Sequence, residues 1–373
     1  MQSSSLLDLK VAIKNGFLHI FGSSFINKVI GFGVGIILPR IIGTDLFGKY
    51  TYAQTILNMF LLLQGLGVVP AILQYCSGNY DKDQKLSYLK YGIKIGMISN
   101  LVISILMVLF SVFGSLPIKG SITILLYLSA IPVFSIIFDI IQIYLRVIYE
   151  NKKFAILSNS KVKYPDKANK KEFLKFSIVL FLTNAISQLL FQLDVLLIGN
   201  IIRDASIVAI YKAATLIPMN MLFLPSSVMI FVYPYFAKQC NDKNWIKVKY
   251  IKLQRYLAII NGAISIICIA FAPIIIKIIF GSKYLNCISA FRVLWVGYFI
   301  AGTFRVPSGN VLFAIKKEKV NLFNSIFSGL LNIVLDILLI LKFGYNGAAI
   351  ATVITFAISS IISNTYLYKY LNS

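Results

Sequence analysis

Long runs of hydrophobic residues, separated by short polar segments, recur along most of the chain. Each run is about 20 residues or longer, which lets a helix cross the hydrocarbon core of a bilayer. Strands of a membrane barrel would be shorter and would alternate polar and apolar residues, which these runs do not. The pattern predicts about ten membrane-spanning helices, at residues 17–42, 51–75, 89–113, 122–145, 176–200, 207–236, 257–280, 287–314, 320–341 and 348–368.

The composition also favours a membrane protein. Of the 373 residues, 58% are hydrophobic and only 13% are charged, and the mean hydropathy is +0.82. A soluble domain needs a more polar surface than this composition allows. The first apolar run is longer than the core of a signal peptide and has no small-residue cleavage site behind it. We therefore expect this run to be a retained helix in an all-α, polytopic membrane protein.

The chain is strongly basic, with a formal net charge of +23. In a soluble protein this excess would indicate nucleic-acid binding, but here the lysines concentrate in alternate loops. Loops rich in lysine and arginine stay on the cytoplasmic side of a membrane. The pattern predicts cytoplasmic termini and no nucleic-acid partner. It also predicts an N-terminal lobe of four spans (1–150), a basic cytoplasmic hinge (151–175) and a C-terminal lobe of six spans (176–373).

A weak internal repeat supports the division into two lobes. Tyr50 and Ala53 form a Tyr-x-x-Ala pattern at the mouth of the second span, and Tyr211 and Ala214 form the same pattern at the sixth. Many transporters are built from paired lobes with the substrate site between them. The repeat therefore favours a transporter.

Polar residues inside the predicted spans are the most informative, because hydrocarbon penalises them unless they face a bundle interior or a cavity. One helical stripe of the ninth span carries Asn321, Ser325, Ser328, Asn332 and Asp336. One half of the fifth span carries Asn184, Ser187, Gln188, Gln192 and Asp194. Such sets either line a substrate cavity or form hydrogen bonds that hold helices together, and the sequence leaves both interpretations open.

Charged residues inside the spans are sharper candidates. Lys28 lies near the middle of the first span, from which its side chain cannot easily reach either surface. Arg305 precedes Pro307 in an interrupted helix, and Arg40 lies at a span end, where it either binds substrate or simply extends to the membrane surface. Three acidic residues either bind a proton or coupling cation or pair with these bases: Asp139, Asp194 and Asp336.

Four segments carry a resemblance to a known family: 39–50 (PRIIGTDLFGKY), 164–176 (YPDKANKKEFLKF), 193–199 (LDVLLIG) and 210–214 (IYKAA). In their order and spacing among the spans, the chain resembles the polysaccharide exporters or O-antigen flippases of the multidrug/oligosaccharidyl-lipid/polysaccharide exporter superfamily. The resemblance covers nearly the whole chain. It implies two helical bundles around a central cavity that opens alternately to each side of the membrane.

The resemblance further implies a function. It points to a flippase of the bacterial inner membrane that moves an undecaprenyl-diphosphate-linked oligosaccharide, such as an O-antigen, capsule or exopolysaccharide repeat unit. Its partners would be this substrate, membrane lipid, and the glycan polymerase and glycosyltransferases. Such a head group needs a cationic, hydrogen-bonding cavity, for which the candidate substrate-binding residues are Lys28, Arg40, Arg305, Asn184, Gln188 and Asn332. We expect Lys28 and Arg305 to meet the pyrophosphate, and the amide and hydroxyl side chains to meet the sugar.

The chain departs from the family at one point. After the fourth span it passes directly into the basic hinge, so that two spans expected after Phe154 are missing. One interpretation is a shortened variant that does not transport. A second alternative keeps the fold and changes the cargo to a drug or cation, with the three acidic residues as ion and drug sites.

An intramembrane enzyme is the alternative of a different class. The chain has no HExxH motif and no nucleophile elbow, and it contains a single histidine, so acid–base and metal mechanisms lack their usual residues. The four cysteines lie far apart, without metal-ligand spacing, and no nucleotide-binding P-loop is present. We therefore predict a protein that is not an enzyme and has no cofactor.

Overall fold

A computed structural model describes residues 17–64, 82–139, 192–315 and 317–372, together with the single positions 68 and 72. For residues 17–30 it describes the backbone alone. The described residues form helices and no strands. The predicted hinge and most of the predicted fifth span lie outside the described residues. The division into two lobes, the number of ten spans and the missing helix pair therefore stay predictions.

Three helical segments make up the N-terminal part. They are α1 (Phe17–Leu61), α2 (Lys82–Phe113) and α3 (Ser121–Leu128), the last of which is followed by a further helical stretch over 131–139. Short non-helical breaks at residues 114–120 and 129–130 separate the last three of these four helical stretches.

The break between the first two predicted spans is much shorter than the sequence pattern predicts. Residues 43–50 are expected to be a loop, but the chain is helical on both sides of Gly43, which alone is non-helical, with φ 75° and ψ 169°. This left-handed φ is freely accessible to glycine and rarely to other residues. Pro39, four residues earlier, cannot donate a helical hydrogen bond and further favours the kink.

Nine helices lie among the described C-terminal residues, 192–315 and 317–372. They are α4 (Gln192–Ile202), α5 (Ala205–Met221), α6 (Phe223–Lys238), α7 (Lys243–Ala270), α8 (Ala272–Ile279), α9 (Ile288–Ile300), α10 (Val306–Ala314), α11 (Glu318–Phe343) and α12 (Tyr345–Asn372). A 3₁₀ turn (Ser282–Cys287) precedes α9, and a π-helical turn (Ala301–Arg305) joins α9 to α10.

The described residues include seven helical spans long and apolar enough to cross a membrane, at 86–113, 121–139, 205–238, 243–270, 282–314, 319–343 and 345–372. Large hydrophobic side chains remain exposed on their outer faces, among them Phe113, Tyr127 and Leu341. Exposed apolar surface of this extent fits contact with lipid. The prediction of an all-α, polytopic membrane protein is confirmed.

The π-helical turn has a local cause. Pro307 has no N–H, so it cannot donate to the carbonyl of Thr303 four residues earlier, and a wider turn accommodates the loss. Asn261 on α7 supports this turn, because its Nδ2 donates to Thr303 Oγ1 at 3.3 Å and its Oδ1 accepts from Tyr298 Oη at 2.8 Å. The interrupted helix expected at Arg305 is confirmed.

The N-terminal and C-terminal helices meet along α1 and α5. A Cβ on Gly48 would overlap the carbonyl oxygen of Ala205, so the two backbones approach more closely than any side chain would allow. Nearby, Tyr52 Oη donates to Asn200 Oδ1 at 3.2 Å. Both Tyr-x-x-Ala segments belong to this contact, because Ala53 and Ala214 are fully buried in one hydrophobic core. The weak sequence repeat thus marks the places where the two parts touch.

We expect Gly48→Ala to destabilise the protein by about 1–3 kcal/mol, because the new methyl group would overlap the Ala205 backbone. Gly33→Ala is the matched control, since a Cβ on Gly33 meets nothing within 4 Å. The melting temperatures of both variants in the same detergent, compared with wild type, measure the effect. Equal melting temperatures for the two variants would contradict the close approach of α1 and α5.

Candidate functional site

Two tight turns assemble the candidate site. Arg203, with a left-handed φ of 60°, and Asp204 connect α4 to α5, and Asp204 Oδ1 caps α5 by accepting from the Ser206 N–H at 2.8 Å. Gly344, with φ 58°, connects α11 to α12. Each turn folds one helix back on the next. Polar side chains about two turns from each connection therefore face each other.

These helices enclose a cavity of about 210 Å³, which we call the Asp194 cavity. Residues of α4, α5, α11 and α12 line it, together with Arg305 of the π-helical turn; the polar members are Asp194, Tyr211, Lys212, Thr215, Asn220, Arg305, Ser325, Ser328, Asn332, Thr352 and Thr355. The cavity thus contains acidic, basic and neutral hydrogen-bonding groups within a bundle whose outside is apolar.

An acidic pair lies at one end of the cavity. Tyr211 Oη and Thr352 Oγ1 both donate to Asp194 Oδ2, at 2.5 Å and 2.7 Å. Asp336 on α11 is fully buried and interacts electrostatically with Asp194. The carboxyl oxygens of Asp336 have no hydrogen-bond partner among the described residues. Two adjacent carboxyl groups inside a membrane protein need a shared proton or a bound cation.

Two basic residues, Lys212 and Arg305, line the same cavity. Arg305 Nε donates to Ser359 Oγ at 3.1 Å, and the guanidinium carbon lies 5.1 Å from the centre of the Phe356 ring. Within the described part of the chain, neither base forms an ion pair with a carboxylate, for the ion pair found there joins Lys49 to Asp45. Their charges are therefore available to an anionic ligand.

The polar stripe of α11 divides into two parts. Asn321 Nδ2 donates to the Gly309 carbonyl at 2.8 Å, and Asn324 Nδ2 donates to Ser363 Oγ at 2.6 Å. Asn321 therefore holds helices together, as one interpretation of the stripe proposed, and so does Asn324, which was not among the predicted stripe residues. Ser328 and Asn332 face the Asp194 cavity, as the other interpretation proposed.

The chain matches two family models that are both described as "Polysaccharide biosynthesis protein". One covers residues 118–289 and the other residues 13–154. Together the two models cover residues 13–289, and they support a place for the chain in a polysaccharide exporter and flippase family.

Two proteins of known sequence are similar to this chain. The probable low-salt glycan biosynthesis flippase Agl15 of Haloferax volcanii is 26% identical over 190 residues, which are 48% of this chain and 38% of that protein. An uncharacterised membrane protein of Methanocaldococcus jannaschii is 29% identical over 168 residues, which are 44% of this chain and 33% of that protein. The chain thus aligns with little more than a third of the length of these relatives.

Two solved structures share the fold of this chain. An inward-facing multidrug resistance MATE family transporter of the MOP superfamily superposes with a TM-score of 0.67 at 16% identity, covering 91% of this chain and 98% of that one. Lipid II flippase MurJ, in an inward closed conformation, superposes with a TM-score of 0.68 at 20% identity, covering 94% and 86%. At these identities the likeness establishes the fold.

The structure brings some of the predicted site residues together and not others. Asp194, Arg305 and Asn332 line one cavity, and Asp336 adjoins it. Asp139 does not join them, because it accepts a hydrogen bond from Gln64 Nε2 at 2.7 Å in the N-terminal part.

Three further candidates lie outside the part that the structure describes. They are the side chain of Lys28 and the whole residues Asn184 and Gln188. Arg40 is exposed, and it does not line the Asp194 cavity. The structure thus leaves the substrate roles of these four residues as predictions.

Lys212 is a candidate that the sequence pattern missed. It lies near the predicted start of the sixth span, where a lysine usually extends to the membrane surface. In the structure it lines the Asp194 cavity beside Tyr211. The signal that marks it in the sequence is its position inside the family-like segment 210–214.

Tyr211→Phe should destabilise the protein by about 1–3 kcal/mol, because it removes one of two hydrogen bonds to a buried carboxylate. Tyr366→Phe is the matched control, since the Tyr366 side chain is exposed. Thermal unfolding of both purified variants measures the difference. A Tyr211→Phe protein as stable as the control would show that the Tyr211–Asp194 contact contributes little.

Proposed function

We propose that the protein is a flippase that moves a lipid-linked oligosaccharide across a membrane by alternating access between two helical lobes. The finer form of the proposal is an undecaprenyl-diphosphate-linked repeat unit in the bacterial inner membrane, with both termini cytoplasmic. Similarity to the probable low-salt glycan biosynthesis flippase of Haloferax volcanii supports the general class. The observation that carries the proposal is the pair of unneutralised bases, Lys212 and Arg305, in a cavity inside an apolar bundle.

The chemistry of the cavity suits a phosphate group. Arginine binds phosphate oxygens through two parallel N–H donors, and lysine adds a compact positive charge. Ser328 and Asn332 supply neutral donors and acceptors beside these bases, and such groups suit sugar hydroxyls. Lys212 and Arg305 would therefore neutralise part of the negative charge of a pyrophosphate group bound in the Asp194 cavity.

The size of the cavity limits what it can hold. Ligand pockets for drug-sized molecules measure about 300–1,000 Å³, whereas the Asp194 cavity measures about 210 Å³. An oligosaccharide therefore does not fit inside it. We place the phosphates at Lys212 and Arg305, the glycan in the space between the lobes, and the lipid tail in the bilayer.

The acidic pair provides a site for the coupling ion. Asp194, Asp336 and their neighbours Asn332 and Thr352 supply oxygen ligands that suit a sodium ion, and the two carboxyl groups equally suit a shared proton. We propose that occupation of this site changes the electrostatic potential at Lys212 and Arg305, which links the ion to the substrate. Asp139 lies elsewhere and is not assigned to this site.

A flippase acts after the enzymes that synthesise its substrate and before the enzymes that consume its product. Glycosyltransferases must build its substrate on the cytoplasmic side, and a polymerase or ligase must consume the product on the other side. We therefore propose such enzymes as partners and no enzymatic activity for this chain itself.

A multidrug or cation antiporter is the second candidate. The acidic pair favours it, because a buried carboxylate pair suits a cationic drug as well as a coupling ion. Lys212 and Arg305 oppose it, because a drug-sized cation fills more of the cavity than a coupling ion does and would approach both bases.

The test of the flippase is complementation in a bacterium that lacks its own O-unit or capsule flippase, with surface polysaccharide and accumulated lipid-linked precursor as readouts. Wild-type protein should restore surface glycan. Lys212→Gln should lower the restored glycan about tenfold or more, because it removes a charge-assisted contact to phosphate. Lys249→Gln, which changes an exposed lysine, is the matched control. Full function of Lys212→Gln at equal protein level would exclude Lys212 as a phosphate ligand.

The coupling site predicts a cation-dependent stability. A cation at about one hundred times its dissociation constant should stabilise the folded protein by about 2.7 kcal/mol. Melting temperature should thus rise in sodium chloride relative to choline chloride if the ion is sodium, or rise on acidification in both salts if it is a proton. Asp336→Asn should abolish the response, and Asp139→Asn should retain it. A response of Asp336→Asn equal to that of wild type would remove the acidic pair from the mechanism.

A further inference from the structure

Arg305 separates two cavities of the C-terminal helices. On one side lies the Asp194 cavity. On the other lies a cavity of about 500 Å³ that extends along α10 and α11 to Lys319, in the first turn of α11, and which we call the Lys319 cavity. Arg305 and Ser325 line both cavities. The polar space along α11 is therefore divided at the level of the Arg305 guanidinium group.

Several contacts hold the guanidinium group at this division. Its Nε donates to Ser359 Oγ at 3.1 Å, and the Phe356 ring lies 5.1 Å from the guanidinium carbon. The backbone beneath it is the π-helical turn, where Asn364 Nδ2 donates to the Phe304 carbonyl at 3.3 Å. Arg305 is thus anchored through its side chain and its backbone.

The charge of Arg305 is not neutralised by the protein. No carboxylate among the described side chains lies within 4 Å of its guanidinium group. In a poorly polarisable interior, a fixed positive charge repels cations strongly over such short distances. An arginine at a constriction is known in this way to exclude cations and protons from membrane pores.

We infer that Arg305 is an electrostatic barrier that prevents the coupling cation from passing between the Asp194 cavity and the Lys319 cavity. The inference rests on the proposed function, in which the acidic pair binds that cation. The same barrier would make passage of the cation depend on whether substrate is bound. A phosphate that binds Arg305 neutralises the same charge, so the barrier is lowered when substrate is bound and stays high when the cavity contains none. The empty transporter therefore does not leak ions.

The experiment is a passive-flux assay in proteoliposomes without substrate. A potassium diffusion potential, negative inside, drives cation entry, which is followed with radioactive sodium and with a pH-sensitive dye so that sodium and protons are distinguished. Wild type and Arg305→Lys should be tight, because both retain the charge. Arg305→Gln should raise the flux of one cation about tenfold or more. Arg292→Gln, which changes an exposed arginine away from both cavities, should stay tight.

A second pair of variants keeps the arginine in place. Ser325→Asp puts a carboxylate where both cavities meet and should neutralise Arg305, so it should leak, whereas Ser325→Asn should not. Adding Asp336→Asn to a leaking variant should reduce the flux if the route passes the acidic pair.

The outcomes separate this inference from the proposed function. Monodisperse Arg305→Gln that is as tight as wild type would overturn the barrier. If Arg305→Gln does not fold, a folded and tight Ser325→Asp would overturn it instead. A leak that Asp336→Asn leaves unchanged would overturn the route through the acidic pair. Suppose that Arg305→Gln or Ser325→Asp leaks, while wild type fails to restore surface glycan in the complementation assay. That combination would support Arg305 as a barrier and contradict the flippase assignment.

Discussion

The cost of placing a charge inside a membrane protein constrains this structure more than any other interaction. Each unpaired charge in hydrocarbon costs several kcal/mol, yet Asp194, Asp336, Lys212 and Arg305 all lie at one cavity within the C-terminal helices. Apolar side chains on the outer faces of the helices contact lipid, and the polar side chains lie in the interior of the bundle. Those polar groups do not neutralise one another in ion pairs. The cavity therefore keeps groups of both signs that are not joined in ion pairs, and these groups suit a cation and an anion.

The local structure explains how four charges from four helical segments meet. The turn at Arg203 and Asp204 sets Asp194 opposite Tyr211, and the turn at Gly344 folds α12 back so that Thr352 reaches Asp194. The π-helical turn then directs Arg305 towards α12, where Ser359 binds it. Inserting or deleting one residue in a helix beside one of these turns would rotate the charged group on that helix by about 100° around the helix axis. The position of the charged groups therefore depends on these three turns. Apart from Asp204, which caps a helix, the connecting residues are not proposed to contact the ligands.

The sequence predicted the helical spans well, because the length and composition of an apolar run decide whether it crosses a membrane. It also identified Asp194, Asp336, Arg305 and Asn332 individually, because each is costly in hydrocarbon. It did not predict that the two aspartates pair, since this depends on the turns between helices. Asp139 was grouped with them by residue type alone, and the structure shows it bound to Gln64 instead. Lys212 was missed because a lysine near a span end looks like one that reaches the surface. The kink confined to Gly43 was missed because turn residues 43–50 include polar positions that resemble a loop.

The central claim is that Lys212 and Arg305 form a site for the phosphates of a lipid-linked glycan. Native mass spectrometry of the purified protein tests it most directly, with undecaprenyl diphosphate, undecaprenyl monophosphate and undecaprenol offered at equal concentration. The account predicts retention in that order, with the diphosphate bound most tightly and displaced by inorganic pyrophosphate, and with this preference lost in a Lys212→Gln, Arg305→Gln double variant. Equal retention of the uncharged undecaprenol and the diphosphate by wild type would contradict it.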